Sequence, residues 1–434
     1  IYHTTGSGKT MTSFKCAQLI KSIGTVDKIV FLMDRSELWK QTYDNYRNFT
    51  DSDDIEDTSN TEKLGGKLAS DDRNQLIVTS IQKMSNITTA KNYRADKLAI
   101  MQNKKIVFIV DEAHRSTFGT MLRDIKLTFK KAMFFGFTGT PIKEVNSIDG
   151  ITTDGLFGEC LHQYTIAEGI KDKNVLGFKP AKIITFEDAD LKRQAAFNKL
   201  GVSSESEITN KQFGEYHTLM NRDMVEVEKD IPNSLYSDEI NGPKHRDAVV
   251  KAILKDWDLT SFRSKFHYIL ATSSISEAIE YYRLLKNNNK GLFVTAIFDP
   301  HTDNTDDDVL KDEAVEEILT DYNMHFNCKY KVGTYKNFKD DVCLRLAHLD
   351  PYKNIDTERA DAINIVIVVN QLLTGFDSKW INTLYLDKIL EYEQFIQAAS
   401  RTNRLFGVEK QYGIIKYCRK PYTMEVNALK SILY

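Results

Sequence analysis

KIVFIVDEAH, residues 105–114, runs through five consecutive apolar residues and stops on two carboxylates, Asp111 and Glu112. A run with no polar alternation has no solvated face. It reads as a strand buried on both sides, the kind found in a parallel sheet covered by helices. Asp111 and Glu112 then mark the carboxyl end of that strand, the edge at which open α/β sheets bind their ligands.

Runs of the same character flank it. KIVFLMD (28–34), QLIVTS (75–80) and AMFFGFTGTP (132–141) read as strands, and SELWKQTYDNYRNF (36–49) has helical spacing of its apolar residues. A second series starts near residue 265: KFHYILATSS, GLFVTAIFDP (291–300), AINIVIVVNQ (362–371), INTLYLDK (381–388) and YGIIKYC (412–418). Helical patterns separate these too, at SISEAIEYYRLLKNN (274–288) and DDVLKDEAVEEILTDYNMHF (307–326). Alternating strands and helices give an α/β class with parallel sheets joined by crossovers. The pattern divides the chain into a first lobe over residues 1–178, a linker and insert over 179–245, and a second lobe over 246–434. The acidic stretches DSDDIED (51–57) and Asp303 to Asp308 read as solvated loops.

Bulk properties narrow the class. At 434 residues the chain exceeds one ordinary core, and 41% apolar content suits a globular protein. No apolar run is long enough to span a bilayer. Five cysteines lie far apart with no Cys-x-x-Cys pair, which speaks against a zinc site or disulfide framework and fits a reducing, cytoplasmic setting. A net charge of −3 offers no global attraction to nucleic acid, so any such binding needs a local surface.

The chemistry begins with HTTGSGKT (3–10). Gly6, Ser7, Gly8, Lys9 and Thr10 form the end of a phosphate-binding loop. Glycines let backbone N–H groups turn inward around a phosphate, Lys9 can reach its oxygens, and the Thr10 hydroxyl can hold Mg²⁺. The residues that follow open a helix whose positive end faces the anion. The usual pattern has glycine where His3 stands. With this loop upstream, Asp111 is placed to hold Mg²⁺ and Glu112 to orient or deprotonate an attacking water, which makes ATP the expected ligand. Near the end, QAASRTNR (397–404) puts Gln397, Arg401 and Arg404 on one face if the helix runs through them. Two arginines projecting together can grip a triphosphate.

The Asp-Glu-x-His segment, with its relaxed first glycine at His3, resembles the superfamily 2 helicases and translocases. That resemblance implies two RecA-like parallel-sheet lobes in tandem. It also assigns short segments: Leu38 and Gln41, then Thr79 and Gln82, as contacts to the nucleic-acid backbone, and Thr138, Gly139, Thr140 and Pro141 as the coupling segment. QLLTGFDSKWINTLYLDK (371–388) leading into QAASRTNRLF narrows the family, with Ser400 and Asn403 where the superfamily's last motif usually carries glycines. These stretches, with HTTGSGKT and GFTGTPI, are similar to the motor (R) subunit of type I restriction enzymes. The resemblance implies an ATP- and Mg²⁺-dependent motor for double-stranded DNA, partnered by methyltransferase and specificity subunits in the bacterial cytoplasm. Within it Thr374, Gly375 and Asp377 sense nucleotide and DNA together, and Arg401 and Arg404 serve as arginine fingers.

Cutting in that family belongs to a metal-dependent nuclease lobe with a Glu-x-Lys core. No glutamate here is followed two places later by lysine. The expectation is therefore a motor core whose nuclease and helical C-terminal regions lie in a longer subunit. A strand-separating helicase of the same superfamily is the rival enzyme, and a lobe pair without turnover the rival binding module.

Overall fold

The computed structural model describes residues 1–33, 55–57, 61–73, 75–89, 95–112, 116–144, 147, 150, 152–288, 291–299, 308–357 and 359–433. The chain forms two compact units, Ile1–Val175 and Leu176–Tyr434.

In the first unit, the strands are β1 (Tyr2–His3), β2 (Lys28–Met33), β3 (Ile55–Asp57), β4 (Gln75–Ser80), β5 (Ile106–Asp111), β6 (Met133–Phe137) and β7 (Gln163–Tyr164). Five of them make a parallel sheet in the order β3-β4-β2-β5-β6. β1 pairs in parallel with β7 and touches the end of β6 through a parallel bridge between Tyr2 and Thr138. The continuous apolar runs are explained by two cores, one on each face. Val30, Leu32, Ile77, Phe108 and Val110 join one cluster. Their neighbours Ile29, Phe31, Val78, Val107 and Ile109 join the other. Each such side chain contributes about 1.5–3 kcal/mol by leaving water.

Two expectations change here. The acidic stretch at 51–57 is not all solvated loop, because Ile55–Asp57 forms edge strand β3 against β4. The helix expected over 36–49 lies outside the described residues, as do Leu38 and Gln41.

The second unit holds β8 (Gly177–Lys182), β9 (His267–Thr272), β10 (Val294–Ile297), β11 (Ile365–Val368), β12 (Ile381–Asp387) and β13 (Tyr412–Tyr417). They form a parallel six-stranded sheet in the order β10-β11-β9-β12-β13-β8. The expected boundary at 178 falls inside β8. That strand carries Pro180 and two lysines, so it lacks the apolar run that marks the central strands; as an edge strand it does not need one. About half of the stretch expected as linker and insert is helical, over Asp188–Leu200, Phe213–Met220, Met224–Asp230 and the start of Asn241–Thr260. Asp308, expected in a loop, opens the helix Asp308–Phe326.

A buried polar cluster ties that helical stretch to the sheet. Asp387, at the end of β12, is fully buried, with Oδ1 2.8 Å from His245 Nε2 and Oδ2 accepting from the Tyr281 hydroxyl at 2.8 Å. Arg419 donates to both oxygens and to Glu277. Burial pushes the Asp387 carboxyl up, but His245 and Arg419 pull harder and hold it below the ordinary carboxylate range.

Asp387→Ala should therefore destabilise the second unit by about 3–5 kcal/mol in chemical denaturation, because it takes from the buried Arg419 one of its two carboxylate partners, leaving Glu277, and unpairs His245 Nε2 and the Tyr281 hydroxyl. Because the folded value is depressed, the stability Asp387 supplies is present above the unfolded pKa of about 4 and is lost as pH falls through the folded one. Acid denaturation of Asp387→Asn should accordingly show a shallower loss below about pH 4 than the parent.

Candidate active site

The phosphate-loop strand is two residues long, yet it is well held. His3 N–H donates to the Thr138 carbonyl at 2.9 Å, Thr138 N–H to the Ile1 carbonyl at 3.1 Å, and Thr4 N–H to the Tyr164 carbonyl at 2.9 Å. The loop leaves this anchored strand through two left-handed glycines, Gly6 at φ 88° and Gly8 at φ 91°. Gly8 caps the helix Lys9–Ile23. Ser7 closes the turn, its N–H and hydroxyl both donating to the Thr4 carbonyl at 3.2 and 2.7 Å.

His3 has no positive φ, so it needs no glycine. It ends β1, and its ring packs against those of His162 at 5.1 Å and Tyr164 at 5.8 Å.

Lys9 Nζ lies 3.1 Å from Asp111 Oδ1 and 2.6 Å from Glu112 Oε1. Burial works to lower the Lys9 pKa, but the two carboxylates outweigh it and the net is upward. The Asp111 carboxyl is pushed up, first by burial and then by Glu112, against the pull of Lys9. One ammonium faces two acids, so these three side chains carry a net charge of about −1.

That charge and its hard oxygen donors suit Mg²⁺. Among the described residues no group of three or more His, Cys, Asp or Glu forms a ready metal cage. Mg²⁺ does not require one, since it takes one or two carboxylates with water and phosphate oxygens. Asp111 and the Thr10 hydroxyl are the residues that would hold it.

The other first-unit residues singled out from the sequence, where described, gather at the same carboxyl edge. Thr79 is buried near the end of β4, and Gln82 is exposed in the first turn of the helix Ile81–Thr89. Thr138 and Thr140 are buried just past β6, with Thr140 N–H donating to the Thr138 hydroxyl at 3.1 Å. Gly139 presses on the phosphate-loop strand: a Cβ there would lie 2.9 Å from Thr5 Oγ1 and 3.3 Å from the His3 carbonyl oxygen. Motif order alone did not indicate this contact, which joins residues over 130 positions apart.

In the second unit the expected single helical face is corrected. The helix Tyr392–Ala399 ends with Ser400 as its cap, so Arg401 and Arg404 lie beyond it and do not share its face with Gln397. Arg401 is buried, with Nε donating to the Gln397 carbonyl at 2.9 Å and Nη1 to the Phe376 carbonyl. Arg404 pairs with Asp377. The two arginines thus brace the turn that carries Thr374, Gly375 (φ 77°) and Asp377.

Comparison with known proteins agrees with this layout. A SWI2/SNF2 ATPase family model matches residues 1–215, and a model of type I restriction enzyme subunit R domain 3 matches residues 264–420. The type I restriction enzyme SauCOLORF180P endonuclease subunit of Staphylococcus aureus (strain COL) is 36% identical over 432 residues, 96% of this chain and 41% of that protein. The chain belongs to the type I restriction enzyme R-subunit family. It spans about two fifths of the length of the Staphylococcus aureus protein and of a similar endonuclease subunit from Staphylococcus saprophyticus. Among solved structures, a fragment described as an HsdR subunit from Vibrio vulnificus YJ016 superposes with a TM-score of 0.58 at 17% identity. That match covers 99% of this chain and 61% of the other. The type ISP restriction-modification enzyme LlaBIII, bound to DNA, gives 0.54 at 16% identity, covering 99% and 28%. At such identities both likenesses speak for the fold alone. For this R-subunit chain they agree with two parallel-sheet units of RecA type.

Gly139→Ala should destabilise the first unit by about 1–3 kcal/mol, because the Thr5 hydroxyl can rotate away but the pinned His3 backbone cannot. Gly66→Ala is the control: its Cβ meets nothing within 4 Å, and in the helix Thr61–Ala69 it should gain up to about 1 kcal/mol. Thermal melting of the two variants measures both signs.

Proposed function

We propose that this chain is the ATP-driven, DNA-translocating part of a type I restriction endonuclease R subunit. The observation that carries the reading is Lys9, at the head of a glycine-capped helix, meeting Asp111 and Glu112 at the carboxyl edge of the first sheet. Bound there, Mg²⁺ would offset phosphate charge. Backbone N–H groups of Gly6, Gly8, Lys9 and Thr10 would orient the phosphates, Ser7 N–H being committed to the Thr4 carbonyl, and Lys9 would compensate the charge that builds on them. Glu112 orients the attacking water and takes its proton. Arg404, held on an exposed carboxylate, is the more readily released of the two arginines proposed to meet the γ-phosphate. Gln397 is proposed to contact the nucleotide.

The substrate proposed for movement is double-stranded DNA. Gln82 and Gln41 would grip its backbone, with Thr79, fully buried in this structure, reaching it only through a rearranged strand end, and phosphate contacts carry no sequence information. Thr138, Thr140, Thr374, Gly375 and Asp377 are the proposed coupling residues. Recognition and modification would fall to specificity and methyltransferase subunits of the same system, in a bacterial cytoplasm. No described helix is long and apolar enough to cross a membrane.

Mg²⁺-dependent ATP hydrolysis, measured with and without linear duplex DNA, tests this reading. Duplex of any sequence should stimulate turnover. Lys9→Ala should lose about 10²-fold or more, and Glu112→Gln should bind ATP while turnover collapses. Hydrolysis by Lys9→Ala at the parental rate would show that the site lies elsewhere.

A further inference from the structure

Val175 ends the first unit and Leu176 opens the second, with no spare chain at the junction. Asn174 and Val175 both donate their N–H to the Gly169 carbonyl, at 2.9 and 3.2 Å. The next N–H, from Leu176, donates to the Asn403 carbonyl at 2.8 Å. On the first side the anchor lies at the root of the phosphate loop. Gly169 belongs to the helix Ile166–Lys171, whose start is fixed by Thr165 and Glu168 in a reciprocal cap. A Cβ on Gly169 would come within 3.1 Å of Val175 Cγ2 and 3.2 Å of Thr4 Cγ2, and the Thr4 carbonyl is the one that closes the glycine turn. On the second side the anchor is the turn that carries Arg404. Thr402 and Asn403 are fully buried, and Thr402 lies directly on Gly413 of β13. A Cβ on Gly413 would overlap Thr402 Oγ1 and lie 2.9 Å from Thr402 Cβ and 3.0 Å from its carbonyl carbon. Ser400 and Asn403, set where the superfamily's last motif usually carries glycines, have no positive φ. The glycine this turn requires is Gly413, on the strand beneath it.

We propose that the Val175–Leu176 junction is a clamped joint that ties the arginine turn to the root of the phosphate loop, with Gly169 and Gly413 as its positioning residues. Gly169 lets the chain leave the first unit pressed against Thr4. Gly413 lets the arginine turn lie low enough on β13 for Asn403 to accept the Leu176 N–H. This role rests on the nucleotide reading above and adds the main-chain path that sets the arginines for it. In a slack linker, added residues cost little, because closure entropy grows only with the logarithm of length. A joint hydrogen-bonded at three successive residues has no such tolerance. A shift of Thr4 presses on Gly169, and one peptide bond separates the residue that Gly169 holds from the residue that Asn403 holds. Arg404 is the next residue after Asn403. Hydrolysis is sensitive to placement on this scale, since an error of about 1 Å can cost about 10²-fold in rate.

Two changes to the full chain test the joint: insertion of a glycine pair between Val175 and Leu176, and Gly413→Ala. The insertion leaves each unit its own hydrogen bonds and adds only slack, whereas Gly413→Ala lifts the arginine turn from β13. In each, kcat for Mg²⁺-dependent ATP hydrolysis should fall about tenfold or more. KM, and the affinity for ADP measured by calorimetry, should stay within about twofold of the parent, because the phosphate loop itself is unchanged. Combined, the changes should cost less than the product of their separate losses, since both free the same turn. A glycine pair inserted after Gly201, an exposed turn away from the joint, should leave kcat as it was. Thermal melting shows which variants are folded, and if Gly413→Ala is not, the insertion decides alone. A parental kcat in the insertion variant, a loss of ADP affinity as large as the loss of kcat, or losses that multiply in full overturns the joint and leaves the nucleotide reading standing. A parent chain that hydrolyses no ATP overturns that reading, and the joint with it.

Discussion

Main-chain hydrogen bonds from His3 to Thr138 and from Thr138 to Ile1, at 2.9 and 3.1 Å, set where the glycine turn begins. β1 is too short to build a core of its own. It borrows its position from β6 on one side and β7 on the other. Because β6 also pairs with β5, the strand that ends on Asp111 and the strand that leads into the loop share one frame. The reach from Lys9 to its two carboxylates follows from that frame, as does the close approach of Gly139 to Thr5.

Electrostatics gives the same residues a second task. Two acids at a strand end are costly to keep part-buried, and Lys9 offsets part of that cost. In the second unit Asp387 shows the opposite balance. It too is an acid at the end of a buried strand, but Arg419, His245 and Tyr281 surround it completely. One acid pairs with a lysine beside the glycine loop, and the other is committed to the fold. A strand-ending aspartate reads identically in both places. Only its partners separate a candidate catalytic carboxylate from a structural hub.

The arginines near the end of the chain show a similar division. Their spacing fits a helical face only if the helix continues, and the helix stops at Ala399. Beyond it the guanidinium groups find the nearest acceptors on the 371–377 turn: the Phe376 carbonyl for Arg401 and the Asp377 carboxylate for Arg404. Carbonyl oxygens freed by that turn need donors, and a planar guanidinium supplies them in a fixed fork.

Periodicity was enough to read the α/β class and the central strands of both units, while the glycine-rich loop motif marked Lys9 and the strand-ending acids marked Asp111 and Glu112. Uninterrupted apolar runs such as IVFIV at 106–110 carry that information locally, because a strand buried on both faces cannot alternate. Edge elements were not legible. β1, β3 and β8 are short or polar, and they become strands only because a neighbour offers its hydrogen-bonding edge. The helices of 188–230 were hidden for a related reason. Their apolar faces are narrow, and they settle by packing on one another and on the helix Pro421–Leu433, about 200 residues later. Residue order named the chemistry. Which carboxylate meets Lys9, which glycine crowds the loop and where each arginine rests were decided by contacts between distant segments, and local pattern cannot encode those.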